Sequence, residues 1–549
     1  MVPLKSNIRA PCLHTVNLNR PAIKSHARLK LPPGTFVFSK KEFSPERHIF
    51  PICFLGEPLL VVNWRFTEQK EQPVEISPEL DRLFLDLIGE ERHALYEQIG
   101  RQLPHTIRFN PLKGPVERQQ ELLRQQGFGF EPWPGLPNVF RITHQPYPIG
   151  KSLSHFLGHI YVQDLSSMIP PLVLQPQPGE WVLDVSAAPG SKTTQMAAMM
   201  NNEGVLLAND VVMKRIQALI TNLQRMGVVN TVVFKWFGEQ FGNQYFEQFD
   251  KILLDPACSG LGTLHKNPEV LSWWTPNHCI RLAGSQQKLL ISAIKALKPG
   301  GVVTYSTCTL TPEENEEVVD FALRNFPVEL EPIELPGITT RPGLTRFRQK
   351  QYHPSLERAI RIYPVENDSE GFFVARLRKV DSLEPPRLKK PRRLLQVSFL
   401  SHKTSPVKKH LDYLAAHFGI DSRVFARLIY QYERQVVAFS KAIGDFPFYG
   451  KPVKMGLVLA RIMSQGAKFT TEGAQLLGHH ATKMVVDLPD FATLEKFVNR
   501  EALDVPVAGK GQVLVRYNGL IIGYGLADNG QLKSQFPKAE WPFRLTAVE

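Results

Sequence analysis

The stretch Trp181-Val182-Leu183-Asp184-Val185-Ser186-Ala187-Ala188-Pro189-Gly190-Ser191-Lys192-Thr193-Thr194 decides the fold. Its first five residues form an apolar run carrying one acid, the pattern of a strand buried on both faces. Small residues and a Pro-Gly pair then make a loop. A helix is expected from Thr193 to Met200. Outward from this unit, strands and helices keep alternating. Strands are expected at residues 205–209, 231–234, 251–255, 302–306 and 371–377. Helices are expected at 213–226, 278–297 and 313–325. The last of these opens at Thr311-Pro312 and places Glu313 and Glu314 in its first turn, where acids suit the helix dipole. Such alternation implies an α/β fold with a mostly parallel, doubly wound, Rossmann-like sheet.

In that architecture ligands bind beyond the carboxyl ends of the strands. The loop Ser186-Ala187-Ala188-Pro189-Gly190-Ser191-Lys192 lies there, with small residues that let the backbone approach a ligand. A helix N-terminus follows it, whose free N–H groups suit a carboxylate. Asp210 ends the next strand, and its carboxylate can accept both ribose hydroxyl hydrogens of an adenosine cofactor. The spacing fits neither GxxxxGK[ST] nor GxGxxG. Read alone, the loop is also compatible with a structural tight turn.

Two cysteines stand past later strands: Cys258 in Asp255-Pro256-Ala257-Cys258-Ser259-Gly260, and Cys308 in Tyr305-Ser306-Thr307-Cys308-Thr309. Cytosine is a poor nucleophile at C5 until a nucleophile adds at C6. A thiolate suits that reversible addition. A free cysteine is more often a small buried core residue, and Cys12, Cys53 and Cys279 are read that way. Two at strand ends, both followed by polar residues, are not.

The chain has 549 residues, five cysteines and a net charge of +13. Its length suggests three or more domains. The basic balance favours a polyanion, nucleic acid above all, over a merely solubilising role. Five widely spaced cysteines without a CxxC pair argue against disulfides and against a metal site. A reducing cytoplasm fits them. No apolar run is long enough for a membrane span. Residues 1–41 are basic and free of acids, which is transit-peptide-like and leaves an organellar alternative open. Prolines there favour a poorly ordered extension. His479-His480 are read as surface residues. A monomer is the default.

The expected organisation is an extension at 1–72, then a small α/β unit at 73–150. A catalytic core follows at 151–380, with Leu165–Leu174 as a helix broken or kinked at Pro170-Pro171. A basic linker spans 381–408, with Arg387-Leu388-Lys389-Lys390-Pro391-Arg392-Arg393 at its centre. A helical region is expected at 409–480, with Leu411 to Ala442 helical in pattern. A β-rich module ends the chain at 481–549, with a hairpin turn at Asn518-Gly519.

Several segments together resemble the RNA cytosine-C5 methyltransferases that use S-adenosyl-L-methionine. They are Tyr161 to Met168, Ala187 to Gln195, Met200 to Gly204, Asp255 to Gly260, Tyr305 to Asn315 and Gly371 to Lys379. Within that class the chain most resembles the bacterial 16S rRNA cytosine-C5 methyltransferase F group. The terminal module resembles a PUA-like RNA-binding domain. The resemblance implies that Cys308 attacks C6 and that Cys258 resolves the adduct. It implies that Asp255 supports N3 near the methyl donor and that Lys192 reaches the active centre. Ser186 to Lys192 and Asp210 would hold the cofactor. Phe237 stands where the family has an acid contacting the adenine; it stacks there instead, or Glu239 substitutes. The implied substrate is one cytidine of 16S rRNA in the decoding region, naked or in the small ribosomal subunit. A tRNA cytosine-C5 methyltransferase and a catalytically idle RNA-binding or ribosome-assembly protein are the alternatives. A methyltransferase acting on exocyclic amines would need an aromatic residue where Cys258-Ser259 stand.

Overall fold

A computed structural model of the chain describes residues 76–387, 393–464, 466–503, 505–507, 509–528 and 530–538. The expected extension at 1–72, Cys12, Cys53 and residues 388–392 of the basic linker lie outside the described residues. At the centre is a sheet whose core strands are β1 (Trp181–Asp184), β2 (Val205–Asn209), β3 (Thr231–Phe234), β4 (Phe249–Leu254), β5 (Leu297–Thr307) and β6 (Phe372–Lys379). They lie in the order β6-β5-β4-β1-β2-β3. The first five run parallel and β6 runs antiparallel. Further antiparallel strands extend both edges.

Side chains alternate across this sheet as a two-sided burial requires. Val182, Leu206 and Ala208 join one apolar cluster with Met196, Ile216, Leu219 and Leu223. These come from helices α1 (Ser191–Met199) and α2 (Met213–Arg225). Leu183, Val205 and Leu207 join another with Leu290, Ile294, Val318 and Val319. Those come from α3 (Pro276–Ala296) and α4 (Glu316–Asn325). The strand order reverses at β1 and β4, so a crevice opens where their carboxyl ends diverge.

The doubly wound reading is borne out, with the expected strands found within a few residues. Four corrections apply. Leu165–Leu174 is one continuous helix despite Pro170 and Pro171. Pro171 offers no N–H to the carbonyl of Ser167, and Gln163 Nε2 donates to that carbonyl instead, at 2.9 Å. The helix expected from Glu313 begins at Glu316, because Glu314 is fully buried and turned to other use. Ile160–Val162 lies past the expected boundary at 150, yet it pairs with Thr106–Phe109 and completes a four-stranded sheet in the small N-terminal unit.

The fourth correction concerns 409–480. Val407–Phe418 is helical, but Leu428–Tyr432 and Gln435–Ser440 form antiparallel strands, joined by Leu457–Met463 and Gly466–Phe469. Runs such as Leu428-Ile429-Tyr430 and Val436-Val437 are β-branched and aromatic, and they pack better on a pleated surface than on a helix. From this region Lys454–Met455 pairs with Val232 and Val233, covering the edge at β3. In the terminal module Tyr517 and Leu520 pair across the Asn518-Gly519 turn, as expected.

Arg361 and Glu316 form a fully buried ion pair, and Arg361 Nη1 also donates to the Leu310 carbonyl at 3.0 Å. Removing one partner strands the other's charge. Arg361→Ala is expected to destabilise the protein by about 3–5 kcal/mol, read as a lowered urea midpoint with circular dichroism.

Candidate active site

Each candidate residue lies at or just beyond a carboxyl end of β1, β2, β3, β4 or β5. Asp255 follows β4 and Cys308 follows β5, and those strands are neighbours, with Leu254 opposite Tyr305. The adjacency brings Cys258 Sγ to 3.2 Å from Cys308 Sγ. Lys192, at the start of α1, reaches across the crevice from the cofactor loop. Its Nζ lies 2.8 Å from Asp255 Oδ2 and donates to Ser167 Oγ at 3.0 Å. It also stands 5.6 Å from the centre of the Phe372 ring. Ser306 Oγ donates to Asp255 Oδ1 at 2.9 Å, which fixes the carboxylate from its other side.

Beneath the thiols lies a polar network that sequence reasoning missed. Glu314 Oε2 accepts from the Ser259 backbone N–H and from Gln286 Nε2, each at 2.9 Å. Thr311 Oγ1 donates to Glu314 Oε1 at 2.9 Å. Gln286 Nε2 also bonds the Ala257 carbonyl, and Ser259 Oγ meets Thr309 Oγ1 at 2.7 Å. The Thr311-x-x-Glu314 spacing is that of a capping box, the one signal available in the sequence. Gly262 completes the scaffold. Its N–H donates to the Cys308 carbonyl and its own carbonyl accepts from Gly371 N–H. A Cβ there would lie 2.0 Å from the Gly371 oxygen.

The electrostatics separate the two cysteines. The hydrogen bond to Cys308 pushes the Cys258 thiol well up, followed by burial and the charges of Cys308, Glu314 and Asp255. Burial opposes the charge of Lys192, but Asp255, then Cys308 and Asp184, hold it above the usual range. Cys279 is buried, and burial pushes its thiol up to about 12, so it keeps its core reading.

The cofactor face stands on the other side of Lys192. Gly190 adopts φ 105°, and α1 begins at Ser191 with Ala188 and Pro189 before it. Thr193 Oγ1 donates to Asp184 Oδ2 at 2.7 Å, and burial pushes Asp184 up to about 7. Arg108, also missed in the sequence, is buried and reaches α1 from the small N-terminal unit, donating to the Ser191 carbonyl at 2.9 Å. Asp210 is buried. Its Oδ1 accepts from Val212 N–H at 2.9 Å, while its Oδ2 has no hydrogen bond. Arg215 Nη1 lies 3.3 Å from that oxygen, an ion-pair contact only. An orphaned carboxylate oxygen at this point fits a ribose hydroxyl. Phe237, at the end of β3, is 68% exposed, and Val211, Val212 and Met213 at the end of β2 are also exposed. Apolar side chains left open beside Asp210 fit the adenine. Glu239 is exposed in the turn after Phe237. The residues present thus suit S-adenosylmethionine.

His479 is exposed and His480 half-buried, and both line a cavity of about 1020 Å³ at the opposite, amino-terminal edge of the sheet. No helix among the described residues is long and apolar enough to cross a membrane.

Comparisons with known proteins place the family and the fold. Residues 171–378 match the family described as 16S rRNA methyltransferase RsmB/F, and 485–540 match the Methyltransferase RsmF PUA domain. Ribosomal RNA small subunit methyltransferase F of Vibrio atlanticus is 36% identical over 452 residues, which cover 80% of this chain and 91% of that protein. The protein of the same name from Aeromonas salmonicida is 34% identical over the same shares. Among solved structures, a methyltransferase homolog from Pyrococcus horikoshii aligns with TM-score 0.51 and 38% identity, covering 56% of this chain and 96% of its own. NSun6 from the same organism, solved with SFG, shares the fold, with TM-score 0.50 and 24% identity over 56% of this chain and 99% of that one.

Removing the Asp210 carboxylate is expected to weaken S-adenosylmethionine binding by roughly 1–3 kcal/mol, the value of hydrogen bonds to a charged group. Calorimetric titration of Asp210→Ala against wild type measures it. Phe237→Ala is expected to lose a smaller stacking contribution, about 0.5–1.5 kcal/mol.

Proposed function

The chain belongs to the 16S rRNA methyltransferase RsmB/F family, and from that premise we propose that it methylates C5 of one cytidine in 16S rRNA through a covalent Cys308–C6 adduct. It is an S-adenosylmethionine-dependent RNA methyltransferase; the position, the target atom and the adduct are the finer reading. The observation that carries it is the 3.2 Å approach of Cys258 and Cys308 beside the Lys192–Asp255 ion pair. The decoding region of the small subunit is the expected target, in a reducing cytoplasm.

RNA docks with its target cytidine turned out of the stack, since C6 is otherwise covered. Cys308, as thiolate, adds to C6. The electron pair displaced from the C5–C6 bond moves towards N3 and O2, and the Asp255–Lys192 pair stabilises it there. Bound S-adenosylmethionine supplies the methyl group that C5 accepts. Adduct formation then changes Cys258. Once Cys308 is alkylated, it no longer accepts the Cys258 hydrogen bond or bears charge beside it, so two influences that held the Cys258 proton are gone. Cys258 then gives its S–H proton to solvent and, as thiolate, takes the proton from C5. The electrons of the C5–H bond restore the C5–C6 double bond, and Cys308 leaves.

Cys308→Ala is expected to bind S-adenosylmethionine normally and to methylate nothing; turnover at the wild-type rate would remove it as nucleophile. Cys258→Ala is expected to accumulate an RNA adduct that survives denaturing electrophoresis. Bisulfite sequencing of total RNA with and without the gene tests the substrate. Loss of protection at one 16S cytidine is the expected result. Loss at a tRNA position would overturn the substrate, and no change anywhere would overturn the activity.

A further inference from the structure

Three metal-ligating side chains converge outside the catalytic cluster. Asp164 caps the helix Leu165–Leu174, His265 lies in the loop after Cys258, and Glu370 stands just before β6. One ligand atom of each lies within 4.8 Å of the other two. The surroundings hold them apart rather than bonding them together. His265 Nδ1 is buried and has no hydrogen-bond partner. Glu370 is 8% exposed, and its carboxylate makes no hydrogen bond among the described residues; its bonds run through its backbone. Asp164 Oδ1 is fixed by Ser166 N–H at 2.9 Å, Ser166 Oγ at 2.8 Å and Glu370 N–H at 3.3 Å.

This arrangement is costly as it stands. Two carboxylates share a small space, one of them nearly buried. The buried Nδ1 of His265 lacks a partner. A cation bound by the three side chains relieves both conditions.

We propose that Asp164, His265 and Glu370 form a binding site for one borderline divalent cation of the Zn²⁺ or Co²⁺ class. Two carboxylate oxygens and an imidazole suit those ions, whereas Mg²⁺ and Ca²⁺ favour all-oxygen sets. The cysteine spacing that argued against a metal concerned thiolate ligands, and none of the five cysteines takes part. All three ligands line one cavity of about 570 Å³, together with Arg101, His105 and Lys266. Remaining coordination positions therefore open to a basic pocket, where water or a phosphate oxygen completes the shell. Glu370 is followed by Gly371, bonded through Gly262 to Cys308, and by Phe372, beside Lys192. The ion would tie the loop carrying Cys258 to the start of β6 at the rim of the catalytic pocket.

Titration of the full-length protein with Co²⁺, without RNA, tests the site independently of the RNA reading. The expected result is one Co²⁺ per chain, giving visible d–d bands and no thiolate charge-transfer band. His265→Ala and Glu370→Gln are each expected to weaken binding roughly tenfold or more, with the fold verified by circular dichroism. If His265→Ala fails to fold, Glu370→Gln decides. Absence of binding, binding that both variants leave unchanged, or a thiolate band would each overturn the proposal.

Discussion

The buried carboxylate of Glu314 is the constraint on which the catalytic arrangement depends. It lies six residues past Cys308 and holds the backbone N–H of Ser259, one residue past Cys258. Strand adjacency brings the two loops side by side, and this bond ties the Cys258 loop to the segment that follows Cys308. An ionised group without exposure is tolerated only when fully hydrogen-bonded. Glu314 meets that condition through Ser259, Gln286 and Thr311. Gln286 extends from the middle of α3, so the long helix packed on the sheet also sets the position of the Cys258 loop.

From that fixed geometry the chemistry divides cleanly. The Cys258 thiol, 3.2 Å from Cys308, is held against ionisation by its contact with Cys308, then by burial and the charges of Cys308, Glu314 and Asp255. Lys192 stands between the two halves of the crevice. On one side it pairs with Asp255 at 2.8 Å, and on the other it belongs to the loop Ser186 to Lys192. In the proposed reaction this one side chain would register methyl donor against base, which matters because misplacement by an ångström is costly in a group transfer.

The sheet and the placement of Asp255, Cys258 and Cys308 past the carboxyl ends of its strands were legible in the sequence because each rests on local pattern. Apolar runs such as Trp181 to Leu183 mark buried strands, and functional residues follow their carboxyl ends. Glu314, Gln286 and Arg108 were not legible. Their importance comes from burial against partners as distant as 86 residues along the chain, and an isolated acid, amide or guanidinium reads as surface. The 428–440 segment failed for another reason. Leu428-Ile429-Tyr430 and Val436-Val437-Ala438 satisfy helical and strand periodicities equally, and pairing between the two runs decided it. Asp164, His265 and Glu370 are separated by 101 and 105 residues along the numbering, so nothing local announced their convergence.

Arg108 shows how the small N-terminal unit is coupled to the cofactor half of the crevice. Its guanidinium is buried in the absence of any carboxylate partner among the described residues, and burial lowers its pKa to about 9. It is held by Gln163 Oε1 at 3.0 Å, by the Ser191 carbonyl and by Thr194 Oγ1. Gln163 in turn donates to the Ser167 carbonyl left free by Pro171, and Ser167 Oγ accepts from Lys192. A continuous set of hydrogen bonds therefore runs from the strand Thr106–Phe109 to Lys192. A polynucleotide engaging the N-terminal unit would press on the same framework that positions Lys192 against Asp255. The proline that first suggested a broken helix is what frees the Ser167 carbonyl for this connection.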